Sequence, residues 1–200
     1  MQLFHNTASP FVRKVMIVAH ETGQDGDLEL IPAVGHALDT TKMPVVQNPL
    51  GKLPTLLVDS MAMYDSRVIC RFLNERADAD LYGTPANQWE ILTLEATADG
   101  ILDAAVLMVY EGRVRPEEMR FPAWVEGQWA KVTRALAHIE ATQMDLLSGP
   151  LNIGTIATAC ALAYLDFRHP DRDWRADHAT LDTWLTNFSK RPSFQATLAA

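Results

Sequence analysis

The chain has 200 residues, 48% apolar and 21% charged, with a net charge of −8 from 17 basic and 25 acidic side chains. That balance suits a globular core and excludes a disordered chain, and the acidic excess argues against a sequence-independent grip on nucleic acid. The two cysteines, Cys70 and Cys160, form no CxxC pattern, so neither a zinc site nor a dithiol motif is indicated and a reducing, cytoplasmic setting is expected. The segment Met1–Thr7 lacks a basic region followed by an apolar run, so no signal peptide is expected. No apolar stretch reaches the ~18 residues of a membrane span, so no membrane association is expected.

Leu3-Phe4 reads as a short strand, followed by the turn Asn6–Pro10. A helix starts there, with Ser9 as N-cap, Pro10 as first helical residue, Phe11, Val15, Val18 and Ala19 on one face, and Gly23 as the stop. Leu28–Pro32 alternates as a second strand. Residues 33–50 are irregular, and a long loop in a compact domain is often functional. Thr55–Val58, the turn Asp59-Ser60 and Met61–Tyr64 read as a hairpin, and Asp65-Ser66 opens a helix through Val68, Ile69, Phe72 and Leu73.

The character changes after Arg76. A polar connector, Asp78–Gly83, leads to Thr84-Pro85, and strand signals then nearly vanish. Helical patterns run from Asn87 to near Glu111, Pro122 to near Met144, Asn152 to near Phe167 and His178 to near Lys190. The stripe Ile91, Leu94, Ala98, Leu102 and Val106, interrupted by Glu95, has core spacing. The expectation is an α/β domain over 1–77 and an all-helical domain over 84–200.

Three segments of the first domain carry chemistry: Ser9-Pro10-Phe11, Gly51-Lys52-Leu53-Pro54-Thr55 and Asp65-Ser66. Taken singly, each has a plain reading as a helix cap or a strand-edge proline. Together and in this order they resemble the glutathione transferase family. Asn48–Leu56 resembles that family's approach to its cis-proline, and Asp65-Ser66 stands where the family has Glu-Ser or Asp-Ser. Ala98–Ala105 and Ala161–Arg168 look like helical-domain segments of bacterial members. The resemblance covers essentially the whole chain. It implies a thioredoxin-like α/β domain that binds glutathione as co-substrate and an all-α bundle that lines the pocket of a small hydrophobic electrophile. It also implies a homodimer.

The chemistry of these residues suits that ligand. A helix N-terminus attracts an anion; Ser66 adds a hydroxyl donor for the γ-glutamyl carboxylate, and Asp65 can accept from the ammonium. By resemblance the Leu53–Pro54 bond is cis and presents the Leu53 backbone to the extended cysteinyl part. Ser9 is the expected catalytic residue, a hydrogen-bond donor that stabilises the thiolate; Thr7 is the alternative donor. A serine cannot form the mixed disulfide that cysteine-type members favour, and no tyrosine lies near the start of the chain. Phe11, His36 in the irregular loop, Lys52 and Asp99 complete the expected glutathione contacts. Asp99 and Asp103 share a helix face; in related proteins this region lies near the dimer partner's glutathione, which Asp99 would contact, or else the pair is a polar helix face at the dimer interface.

Met108, Tyr110 and the stretch Arg113–Arg120 either line the second pocket or belong to core and solvated surface. The six histidines show no metal-ligand spacing, so no metal is expected, and Cys70 and Cys160 read as buried, inert thiols. One place departs from the family: its Ser/Thr-x-x-Asp capping box reads Asn152-Ile153-Gly154-Thr155 here. Loss of the reciprocal acidic group is expected to weaken the helix start, so that Thr155→Asp raises the melting temperature. The competing functional reading is a non-catalytic glutathione-binding regulatory or interaction module; an isomerase or lyase would share the same glutathione site.

Overall fold

The computed structural model describes residues 1–35 and 38–198. The chain forms two compact units, Met1–Tyr82 with Pro192–Ala200, and Gly83–Arg191.

The first unit runs β1 (Gln2–His5), α1 (Pro10–Glu21), β2 (Glu29–Pro32), β3 (Thr55–Val58), β4 (Met61–Met63) and α2 (Ser66–Arg76). The four strands form one sheet in the order β2-β1-β3-β4, with β1 and β2 parallel and the other pairs antiparallel. This is the thioredoxin-like arrangement expected: a β-α-β crossover followed by a hairpin and a helix. Register aligns Leu30, Leu3, Leu56 and Met63 in one row across the sheet, and Leu3 and Leu56 are fully buried. Val15, Ile17 and Val18 of α1 and Ile69 and Leu73 of α2 complete the core, with α1 packed on α2.

The second unit is helical: α3 (Gln88–Val114), α4 (Pro122–Thr142), α5 (Met144–Ser148), α6 (Ile153–Arg168), α7 (Trp174–Asp177) and α8 (Ala179–Phe188). Among the described residues no helix is long and apolar enough to cross a membrane. The short helix α9 (Pro192–Gln195) rejoins the first unit. There Arg13, only 8% exposed, donates to the Phe194 carbonyl (3.2 Å) and lies 4.0 Å over the Phe194 ring. The expected boundary assigned everything from 84 onward to the helical domain. Periodicity along the chain carries no signal for a tail that returns to satisfy a buried arginine on α1.

Helix α6 is the core of the second unit, buried at every position from Ile153 to Leu162. It passes so close to α3 that a Cβ at Gly154 would lie 2.9 Å from the Ile91 carbonyl oxygen and 3.0 Å from the Leu94 side chain. At the other end of α6 the His169 ring meets the Ala105 carbonyl at 3.0 Å, so α3 and α6 run in the same sense.

The start of α6 corrects the capping expectation. Asn152 Oδ1 accepts from the Thr155 N–H (3.0 Å), and Thr155 Oγ1 accepts from the Asn152 N–H (3.0 Å) while donating to the Asn152 carbonyl (2.6 Å). The box is closed by a hydroxyl instead of a carboxylate. With Thr155 only 2% exposed, the neutral group also avoids burying a charge. Thr155→Ala is therefore expected to cost about 1 kcal/mol and Thr155→Asp to give no rise in melting temperature, both read by thermal denaturation. Gly154→Ala is expected to lose roughly 1–3 kcal/mol in urea denaturation, because backbone stands opposite the added methyl.

Candidate functional site

The strand register of the first unit gathers the three chemistry-bearing segments. Phe4 pairs with Thr55 and Leu56 with Met63. The end of β1, the start of β3 and the end of β4 therefore lie at one end of the sheet. The loops that leave or enter there carry Ser9, Lys52-Leu53-Pro54 and Asp65-Ser66. A sheet end where a crossover helix starts beside a hairpin leaves open backbone, as at the strand ends of other α/β folds.

Ser9 is the N-cap of α1, partly exposed, with Pro10 behind it at the first helical position. Its Oγ accepts from the Val12 N–H at 3.3 Å, so the cap uses a lone pair and the hydroxyl proton has no acceptor among the described residues. Phe11 follows, partly exposed. The loop before Ser9 is held by Asn6, whose Oδ1 accepts from the Ala8 N–H (3.0 Å), whose Nδ2 donates to the Ala33 carbonyl (3.2 Å), and whose carbonyl accepts from the Ser9 N–H (3.0 Å).

The second segment is clamped from beneath. Asn48 is 1% exposed; its Nδ2 donates to the Lys52 carbonyl (3.0 Å) and to Thr55 Oγ1 (3.1 Å), and its Oδ1 accepts from the Leu50 N–H (3.0 Å). Thr55 Oγ1 donates to the same Lys52 carbonyl at 3.1 Å. Gly51 makes the turn at φ +57°, a conformation that favours glycine. The Leu53–Pro54 peptide bond is cis, and the Leu53 N–H and C=O make no hydrogen bond among the described residues. Pro54 is buried, Leu53 partly exposed and Lys52 exposed.

Asp65 caps α2: its Oδ1 accepts from the Arg67 N–H at 2.9 Å, and the residue itself is exposed. The preceding Tyr64–Asp65 bond is also cis. Ser66 opens the helix at 2% exposure, and its hydroxyl makes no hydrogen bond among the described residues. An exposed carboxylate beside a helix N-terminus and an unused hydroxyl together offer complementary partners to a zwitterionic head group.

Of the expected site residues, Ser9, Phe11, Lys52, Leu53, Pro54, Asp65 and Ser66 belong to this one end of the sheet. His36 lies outside the described residues. Asp99 belongs to α3 in the second unit and is 1% exposed, whereas Asp103 is exposed. Asn6, Asn48 and Thr55 were given no role by sequence reasoning. The signal available for Asn48 was an asparagine directly before a proline-glycine loop, a residue suited to bonding its own backbone. Among the described residues no group of three or more His, Cys, Asp or Glu side chains is placed to hold a metal ion.

The family model described as "Glutathione S-transferase, N-terminal domain" matches residues 8–76, and that for the "Glutathione S-transferase, C-terminal domain" matches residues 122–187. The GST-like protein YibF of Escherichia coli strain K12 is 34% identical over 203 residues, 98% of each chain. A solved structure of a glutathione transferase family member from Pseudomonas fluorescens Pf-5, with bound glutathione, is 43% identical with a TM-score of 0.95 over 100% of this chain and 98% of that one. Another from the same strain, with bound S-(propanoic acid)-glutathione, is 44% identical with a TM-score of 0.91 over 100% of both chains.

Asn48→Ala removes three hydrogen bonds from a sealed position and leaves the Lys52 carbonyl with the Thr55 hydroxyl alone. It is expected to destabilise the protein by about 2–3 kcal/mol in urea denaturation, and Asn48→Asp, which sets a carboxylate oxygen against the Lys52 carbonyl at a sealed position, to recover none of the loss.

Proposed function

This chain belongs to the glutathione transferase family, and we propose that it activates the glutathione thiol for attack on small apolar electrophiles, or for a related glutathione-dependent thiol reaction. The observation that carries this reading is the Ser9 hydroxyl, whose proton has no acceptor among the described residues while its lone pair caps α1, at the same sheet end as the Leu53 backbone, unbonded among those residues, and the Asp65-Ser66 helix start.

In this reading the Leu53 N–H and C=O pair with the extended cysteinyl part as a strand edge would. Ser66 and the α2 N-terminus take the γ-glutamyl carboxylate, Asp65 takes the ammonium, and the exposed Lys52 ammonium faces the anionic tripeptide. Phe11 supplies apolar contact beside the sulfur. Asp99, buried, is left out. The helical unit carries the contacts to the second substrate. A homodimer and a cytoplasmic setting belong to the same reading, and Cys70 and Cys160 are buried.

A free thiol titrates near ~8.5, so little of it is thiolate at neutral pH; lowering that by about two units needs ~2.7 kcal/mol of preferential stabilisation of the anion. One hydroxyl donor at a helix N-terminus is the right kind of group to supply it. The thiol proton passes to solvent and the thiolate attacks. With an aryl halide the carbon–sulfur bond forms and the halide leaves with the carbon–halogen pair. An S-substituted glutathione such as the one bound by the Pseudomonas fluorescens relative is the kind of thioether that such an attack yields.

Ser9→Ala is expected to lower turnover of an aryl halide by roughly 10- to 100-fold while leaving glutathione affinity within about two-fold. Ser9→Asp, which keeps a capping oxygen but presents no hydroxyl, restores stability without restoring turnover. Equal turnover in wild type and Ser9→Ala removes Ser9 from this role. Retention on immobilised glutathione with no turnover of any electrophile identifies a binding module instead.

A further inference from the structure

We infer that Asn6 is a positioning residue for the thiol chemistry: by bonding three backbone groups it sets the place of the Ser9 hydroxyl, and this rests on the reading above in which that hydroxyl donates to the glutathione sulfur.

The segment Asn6–Ser9 joins β1 to α1. It holds neither glycine nor proline, so no residue of special or fixed backbone shape imposes its turn. Asn6 does so instead. Its Oδ1 accepts from the Ala8 N–H (3.0 Å), a side-chain mimic of a backbone turn, and its carbonyl accepts from the Ser9 N–H (3.0 Å). Its Nδ2 donates to the Ala33 carbonyl (3.2 Å), while the Ala33 N–H donates to the His5 carbonyl (2.9 Å). The turn is thereby braced to the chain that leaves β2. One short amide supplies both the acceptor and the donor. Aspartate, of the same length, carries no donor when ionised, and serine is one bond shorter.

Ser9 is held at each of its other polar groups. Its carbonyl accepts from the Arg13 N–H (3.0 Å) and its Oγ from the Val12 N–H (3.3 Å). Both of those bonds tie Ser9 to α1, and α1 alone does not fix it against the sheet end. The Asn6 bonds do, because β1 pairs with β3, whose entrance carries Leu53 and Pro54. A hydroxyl that stabilises a thiolate must stand within a fraction of an ångström of the right place, since hydrogen bonds weaken steeply with distance and angle. Loss of the Asn6 amide would therefore leave the Ser9 cap in place and shift the hydroxyl relative to the ligand.

The test is the pKa of the bound glutathione thiol, read from the ultraviolet absorbance of the thiolate across a pH titration of the full chain. Ser9→Ala is expected to raise it by about two units and Asn6→Ala by about one. Affinity for S-methylglutathione, which has no thiol to ionise, is expected to stay within about two-fold of wild type in both variants, by calorimetry. Because Asn6 acts through Ser9, the double variant is expected to rise no further than Ser9→Ala alone. Additive shifts in the double variant, or a ten-fold loss of S-methylglutathione affinity in Asn6→Ala, would mean a general structural role and overturn the inference. A shift in Ser9→Ala with none in Asn6→Ala overturns it and leaves the transferase reading standing. No shift in either variant removes Ser9 from the thiol and both readings with it. Asn6→Ser, which keeps an acceptor for the Ala8 N–H, carries the same test if Asn6→Ala does not fold. A rise smaller than that of Ser9→Ala, absent in the Ser9→Ala background, supports the inference, and no rise overturns it.

Discussion

The register of three strands, β1 against β3 and β3 against β4, is the constraint on which the thioredoxin-like unit and its candidate site depend. Leu3 and Leu56 are fully buried and directly opposed, and side chains alternate faces along a strand. A slip of one residue would turn both to the opposite face of the sheet, so burial holds the register. Once it is held, the exits of β1 and β4 and the entrance of β3 coincide, and three segments far apart in the chain become neighbours. The residues that meet there contribute little to the core. They occupy the end of the sheet because apolar side chains elsewhere hold the strands in line.

At that end, helix capping leaves part of each candidate side chain available. Ser9 and Asp65 each satisfy one N–H of a helix start, at Val12 and Arg67. Ser9 retains its proton and Asp65 its second oxygen and its exposure. A helix start is electropositive, and each leaves the other first-turn N–H groups unused by its side chain. The support beneath is polar as well. Asn6 and Asn48 hold their loops by bonding backbone, and Asn48 does so at 1% exposure with both ends of its amide engaged. Such a group makes a loop rigid because no solvent can replace its partners.

The helical unit is governed by a close crossing. Gly154 allows α6 to approach the α3 backbone, and the Asn152–Thr155 box closes the start of that helix with neutral groups. The family's usual acidic partner is replaced by a hydroxyl that both accepts and donates within a single turn. The chain loses no hydrogen bond by the exchange and keeps a charge out of a buried position.

The sequence by itself determined the element order, the change from mixed α/β to all-helical, the caps at Ser9, Asp65 and Asn152, and the segments that resemble the family's glutathione site. These are local properties: apolar period, proline and glycine punctuation, and side chains that bond their own backbone within a few residues. Only the tertiary structure decided that Thr155 completes the box, that Asn48 clamps the Lys52 carbonyl, that Asp99 is sealed, and that α9 returns to Arg13. Each of these depends on which groups are buried and what stands opposite them. Burial is set by packing between residues distant in the chain, a quantity that no window of sequence contains.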